Sequence, residues 1–116
     1  MTALGSIIIR NCRGLRYATE RDLQQGLARL FETAGFAADR EVALGPAERP
    51  DFMIDGIAIE VKVKGTRDQL ERQITRYAGH DHVAGVLVVT NRVRHRDLPP
   101  LINGKPVHVV CLATAF

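Results

Sequence analysis

The dipeptide Asp55-Gly56, set between apolar-rich runs at residues 49–54 and 57–64, narrows the possible folds of this chain more than any other feature. Both residues tolerate the positive φ of a type I′ turn, so the stretch predicts a β-hairpin with a two-residue loop. Ile54 then pairs with Ile57, Met53 with Ala58, Phe52 with Ile59 and Asp51 with Glu60. Side chains alternate between the faces of a strand. One face therefore carries Phe52, Ile54, Ile57, Ile59, Val61 and Val63, and the other carries Asp51, Met53, Ala58, Glu60, Lys62 and Lys64.

This register opposes two carboxylates and puts an ammonium two residues along. Like charges facing each other destabilise a strand pair and raise each other's pKa unless something positive lies between them. A divalent cation removes the conflict, because a hard ion such as Mg²⁺ is held by one or two carboxylates together with water or substrate phosphate. The competing reading is a solvated strand face on which Glu60 and Lys62 pair as neighbours.

A length of 116 residues with 46% hydrophobic content suits one domain, residues 1–116, with a single core. No apolar run approaches the roughly 20 residues that cross a bilayer. Ile7-Ile8-Ile9 is too short for a signal-peptide core, so no membrane partner and a cytoplasmic location are expected. Cys12 and Cys111 lie too far apart in sequence for a Cys-x-x-Cys metal motif, which leaves buried thiols or a bridge between them. The net charge of +3 leaves a distinctly positive surface if Asp51, Glu60 and Glu20 are neutralised by a bound cation.

In chain order, Ile7-Ile8-Ile9 predicts a short strand or arm, followed by Arg10, Arg13 and Arg16 as phosphate contacts or an ordinary solvated lead-in. Thr19 predicts the N-cap of a helix over about residues 20–34, with Leu23, Leu27, Leu30, Phe31 and Ala34 as its buried stripe and Gly35 ending it. Glu20 stands at the head of that stripe, either complementing the helix dipole or leaning over a site on the sheet. Residues 36–45 predict the first central strand, with Glu41 in it as a rival to Glu20. Thr66 and Gln69 form a capping box for a helix running to Ala78, closed by Gly79 as its C′ residue. Gln73 and Tyr77 are neighbours on one face of that helix, and Arg76 lies on its polar side. Residues 84–90 read as a strand covered on both faces. Residues 107–112 read as a last strand at a sheet edge. His80 and His82 are a weak metal pair without a third ligand. The result is an α/β sandwich on a mixed sheet, with a strand–helix–strand crossover over residues 57–90.

Asp51 preceded by Pro50, with Glu60-Val61-Lys62 nine residues on in a hairpin flanked by two helices, resembles the PD-(D/E)XK nuclease superfamily. The likeness covers about residues 19–91, and Gln73-x-x-x-Tyr77 is similar to a signature of members acting on DNA ends or displaced strands. It implies a restriction-endonuclease-like three-layer sandwich, with a mixed central sheet flanked by helices. It further implies Mg²⁺ or Mn²⁺ on Asp51, Glu60 and the Val61 carbonyl, with Lys62 handling the attacking water and Glu20 completing the site. Gln73 and Tyr77 would orient Lys62 or the nucleic-acid backbone, and Lys64 and Arg76 would bind nucleic acid.

The expected function is then a metal-dependent deoxyribonuclease hydrolysing phosphodiester bonds in recombination, repair or phage DNA processing. The alternatives are a dimeric, structure-selective resolvase similar to archaeal Holliday-junction resolvases, and a non-catalytic nucleic-acid-binding module on the same scaffold. A homodimer would use residues 1–12 or the last strand.

Overall fold

A computed structural model describes residues 1–114. Three helices, α1 (Thr2–Arg10), α2 (Glu20–Ala34) and α3 (Arg67–Ala78), accompany six strands. The strands are β1 (Asp39–Arg40), β2 (Phe52–Ile54), β3 (Ile57–Lys62), β4 (Gly85–Thr90), β5 (Leu101–Ile102) and β6 (Lys105–Cys111). They form one mixed sheet in the order β1-β2-β3-β4-β6-β5.

The hairpin forms in the expected register: Phe52 faces Ile59, Met53 faces Ala58 and Ile54 faces Ile57. Asp55 and Gly56 both take positive φ, 48° and 80°. β3 runs parallel to β4, and β4 parallel to β6, so α3 is the crossover between the first two. All six residues of β4 are buried, as befits the strand covered by helices on both sides.

Alternation along the strands divides the core in two. On one face α1 and α2 bury Leu4, Ile8, Leu23, Leu27 and Phe31 against Phe52, Ile54, Ile59 and Val61. Phe31 meets Phe52 edge-on, with ring centroids 5.3 Å apart. On the other face α3 buries Leu70, Ile74 and Tyr77 against Ala58, Val86 and Val88. Both long helices start with capping boxes, Thr19 with Asp22 and Thr66 with Gln69. Gly35 ends α2 in the left-handed region at φ 86°, whereas Gly79 ends α3 with an ordinary helical φ of −77°.

Three expectations are corrected. Residues 2–10 form a helix, not a strand, because Leu4, Ile8 and then Cys12 recur every four residues and all three are buried. Packing on the sheet outweighs the modest helix penalty of three consecutive isoleucines. Gly5 permits that packing: a Cβ there would stand 3.0 Å from His108 Nε2 on β6. Residues 36–45 supply only the two-residue edge strand β1 rather than a central one, since Glu41 turns the chain away at φ 51°. β6 is internal, flanked by β4 and β5, because the Asn103-Gly104 turn folds β5 back as the edge. Cys12 and Cys111 are both buried, and no disulfide is formed among the described residues. No described helix is long and apolar enough to cross a membrane.

The helical reading of α1 separates adjacent isoleucines. Ile8 is fully buried and Ile9 is 46% exposed. Ile8→Ala is expected to cost about 2–5 kcal/mol and Ile9→Ala less than about 0.5 kcal/mol, read from urea denaturation midpoints. Comparable losses at Ile7 and Ile9 with none at Ile8 would instead require a two-residue period.

Candidate active site

The paired ladder of β2 and β3 ends at Phe52 and Ile59, and the Val61 amide lies beyond it. The Asp51 carboxylate takes the place of a strand partner: Val61 N donates to Asp51 Oδ2 at 2.7 Å. Pro50, buried just before Asp51, suits this frayed end because it has no amide to donate. Gln24 Nε2, from α2, donates to the other Asp51 oxygen at 3.1 Å. Both oxygens of the acid are therefore oriented by the fold.

Glu60 projects to the α3 side of the sheet and is only 4% exposed. Tyr77 Oη donates to Glu60 Oε1 at 2.8 Å, and Gln73 Nε2 donates to Tyr77 Oη at 2.9 Å. The Gln73–Tyr77 pair thus forms a relay that fixes a carboxylate. Tyr77 is buried and its hydroxyl is committed to Glu60, whereas half-buried Gln73 lines a groove together with Lys62. Lys62 Nζ lies 3.7 Å from Glu60 Oε2 and is partly open to solvent.

Glu20, in the first turn of α2, reaches across to the end of β3, where its Oε1 accepts from Val63 N at 2.9 Å. Its charge bears on both Asp51 and Glu60, whereas that of Glu41 bears on Asp51. Glu20 is therefore the better-placed third acid. Glu41 is exposed on a bend, and its amide donates to the Asp51 carbonyl.

Two grooves flank these groups. One, of about 640 Å³, is lined by Glu20, Gln24, Arg40 and Glu41 among others; the second, of about 270 Å³, by Lys62, Gln69 and Gln73 among others. Lys64 lines both grooves. Arg76 is not brought to the site: it lines a separate groove on the outer side of α3, with Arg67, Glu71 and Arg72.

Electrostatics mark the acids. Burial pushes the Asp51 carboxyl up to about 6, against the pull of the Val61 amide and with help from Glu20. Burial pushes Glu60 up to about 8, and the Asp51 charge adds to it. Burial, then the Glu60 charge, raises the Tyr77 phenol well above its ordinary value, so it stays a donor. A half-buried and a buried acid that resist ionising together form a donor set suited to a hard divalent cation.

Among the described residues no group of three or more His, Cys, Asp or Glu side chains forms a ready-made metal cage. Mg²⁺ needs no such cage, since it keeps several waters and takes one or two carboxylates from the protein. Asp51 and Glu60, with the main chain at Val61 and Glu20 reaching the same strand end, fit that requirement. His80 and His82 face each other at 5.7 Å between ring centroids in the turn after α3.

The sequence reading missed Gln24, although it follows Glu20 by one helical turn and so shares its face. It also missed the use of the Asp51 carboxylate as a cap on a main-chain amide, which depends on where the ladder stops. Comparison with protein-family models, with characterised proteins and with solved structures gives no match to this chain.

Both acids have folded-state pKa values above those of the unfolded chain. As pH rises the unfolded chain loses these protons first, so the two groups support the fold fully below about pH 4 and withdraw that support through about pH 6 and then 8. Glu60→Gln, which still accepts from Tyr77, is expected to make the metal-free protein more stable at pH 8 by more than about 1 kcal/mol, since one pKa unit is worth about 1.4. The gain should vanish at pH 4. Denaturant titrations at the two pH values check it.

Proposed function

We propose that this chain is a metal-dependent deoxyribonuclease on a PD-(D/E)XK scaffold, hydrolysing phosphodiester bonds of DNA. The reading is carried by one observation: the half-buried Asp51 carboxylate and the buried Glu60 carboxylate lie at one end of a β-hairpin, close enough for the charge of one to raise the pKa of the other, with the Lys62 ammonium beside Glu60. A structural hairpin gains nothing from opposed acids held partly out of water, and a binding module has no need to keep the Asp51–Glu60–Lys62 trio. Glu20, the Gln73–Tyr77 relay and the flanking grooves lend further support.

Asp51 and Glu60, with the Val61 carbonyl, would hold Mg²⁺ or Mn²⁺. When bound, such an ion polarises the scissile phosphate and lowers the pKa of the attacking water. The protein's own groups do the rest. Gln24 and the Val61 amide hold Asp51 in a single orientation, and Tyr77 holds Glu60. Lys62, beside Glu60, orients the attacking water and offsets the negative charge that builds on the phosphoryl oxygens. Lys64, exposed between the two grooves, is suited to an adjacent phosphate.

The test is incubation of purified protein with labelled linear, circular, single-stranded and four-way-junction DNA in Mg²⁺, Mn²⁺ or EDTA. Cleavage is expected with either metal and not in EDTA. Lys62→Ala should lower it by roughly 10²–10⁴-fold, the range of a lost proton-transfer group. Binding without products under every condition would favour a non-catalytic module.

The Tyr77 hydroxyl favours the ionised form of Glu60. Tyr77→Phe should therefore strengthen proton competition with the metal. The acid limb of the pH–rate profile is expected to move up by about one unit, with more Mn²⁺ needed for half-maximal rate. An unmoved limb would mean that the relay serves packing alone.

A further inference from the structure

After β4 the chain makes a short turn carrying Arg92, Arg94 and Arg96 around buried His95. Arg92 Nε donates to the Val63 carbonyl at 2.7 Å, and Arg94 Nε donates to the Gly65 carbonyl at 2.9 Å. Between them, His95 Nε2 lies 3.3 Å from the Lys64 carbonyl. Three successive carbonyls at the exit of β3 are thus gripped by three side chains of one turn. The gripped segment begins one residue after Lys62.

Holding those carbonyls uses little of what the two arginines offer. A guanidinium has five N–H donors in a planar fork, and one N–H of each is engaged. Both residues are exposed, and neither forms an ion pair among the described residues. Arg67 provides the contrast. Its guanidinium is taken up by Glu71, Asp68 and the Asp97 carbonyl. Arg92 and Arg94 instead stand with exposed Lys64 as positive charge without an ion-pair partner among the described residues, at the segment that follows Lys62. Such charge repels itself, and a polyanion relieves the repulsion.

Their heads are also partly fixed. An arginine whose Nε–H is already bonded loses less side-chain freedom when the rest of the fork meets a ligand. The planar fork matches a phosphate group in two-pronged fashion, which a lysine cannot do.

We propose that Arg92 and Arg94 are a phosphate clamp for the DNA strand lying across the Asp51–Glu60–Lys62 face, with the Val63 and Gly65 carbonyls holding one edge of each guanidinium and its remaining N–H groups taking backbone phosphates. This rests on DNA being the substrate, as proposed above. The contacts are to phosphate, so they position the strand without reading its sequence.

Binding of a fluorescein-labelled DNA duplex is followed by anisotropy in EDTA, between about 50 and 200 mM salt. Each phosphate contact contributes about 0.9 to the slope of log K against log salt. Arg92→Gln with Arg94→Gln should lower that slope by roughly 2 and weaken binding roughly tenfold or more. Glutamine keeps an N–H for the carbonyl, so the thermal midpoint is expected to hold. Arg92→Lys with Arg94→Lys, which keeps the charge, should keep most of the slope. Each single glutamine variant should remove about half of the change, and this keeps the clamp open to test should the double variant not fold. An unchanged slope in folded glutamine variants, or no salt-dependent binding by the parent protein, overturns the clamp. Metal-dependent cleavage with an unchanged slope removes the clamp and leaves the nuclease. Arginine-dependent binding without cleavage in any metal removes the nuclease and leaves the clamp.

Discussion

Two acids that cannot comfortably ionise together govern this structure. Asp51 and Glu60 are brought to one end of a hairpin, partly out of water, and their pKa values rise in consequence. Their fixed surroundings make the conflict persist: Asp51 is tied to the Val61 amide and Gln24, and Glu60 to Tyr77. A carboxylate free to swing into solvent would relax. These are held by their hydrogen bonds, and each keeps its proton to a higher pH than an exposed carboxylate does.

The scaffold around the pair follows from keeping it rigid. β3 lies between β2 and β4, so its backbone is hydrogen-bonded on both sides. α2 packs on one face and contributes Glu20 and Gln24 from its first two turns, and α3 packs on the other and contributes Gln73 and Tyr77. Each helix thus presents a buried apolar stripe to the sheet and a polar flank to the site. Moving either helix would lose hydrophobic burial and an acid's partner at once. Long-range hydrogen bonds from Glu20, and from Arg92 and Arg94, meet at residues 63–65, so the exit of β3 is held from two directions.

Periodicity and turn chemistry were enough for the parts of the chain whose local rules agree with their tertiary setting. The hairpin register, the extents of α2 and α3, both N-caps and the buried strand near residue 87 are all of this kind. Residues 2–10 and 36–45 were misread because local and tertiary signals disagree. Three isoleucines favour a strand by propensity, yet the Leu4–Ile8–Cys12 spacing buries one helical face against β6. Alternation in residues 36–45 suggests a strand, but an unpaired outer edge leaves room for just two bridged residues.

By itself, the sequence determined the hairpin register that carries Asp51, Glu60 and Lys62 to one end of the hairpin and sets Lys62 beside Glu60, because a two-residue loop and a period of two fix which residues pair. It also put Gln73 and Tyr77 side by side, since four residues make about one helical turn. Tertiary structure alone decided what those groups touch. Tyr77 faces Glu60 because of where α3 crosses the sheet, Gln24 reaches Asp51 because of how α2 lies over β3, and Arg92 and Arg94 meet the exit of β3 because β4 runs parallel beside it. Partners separated by 17 to 29 residues are fixed by the packing of whole elements, and no local pattern encodes that.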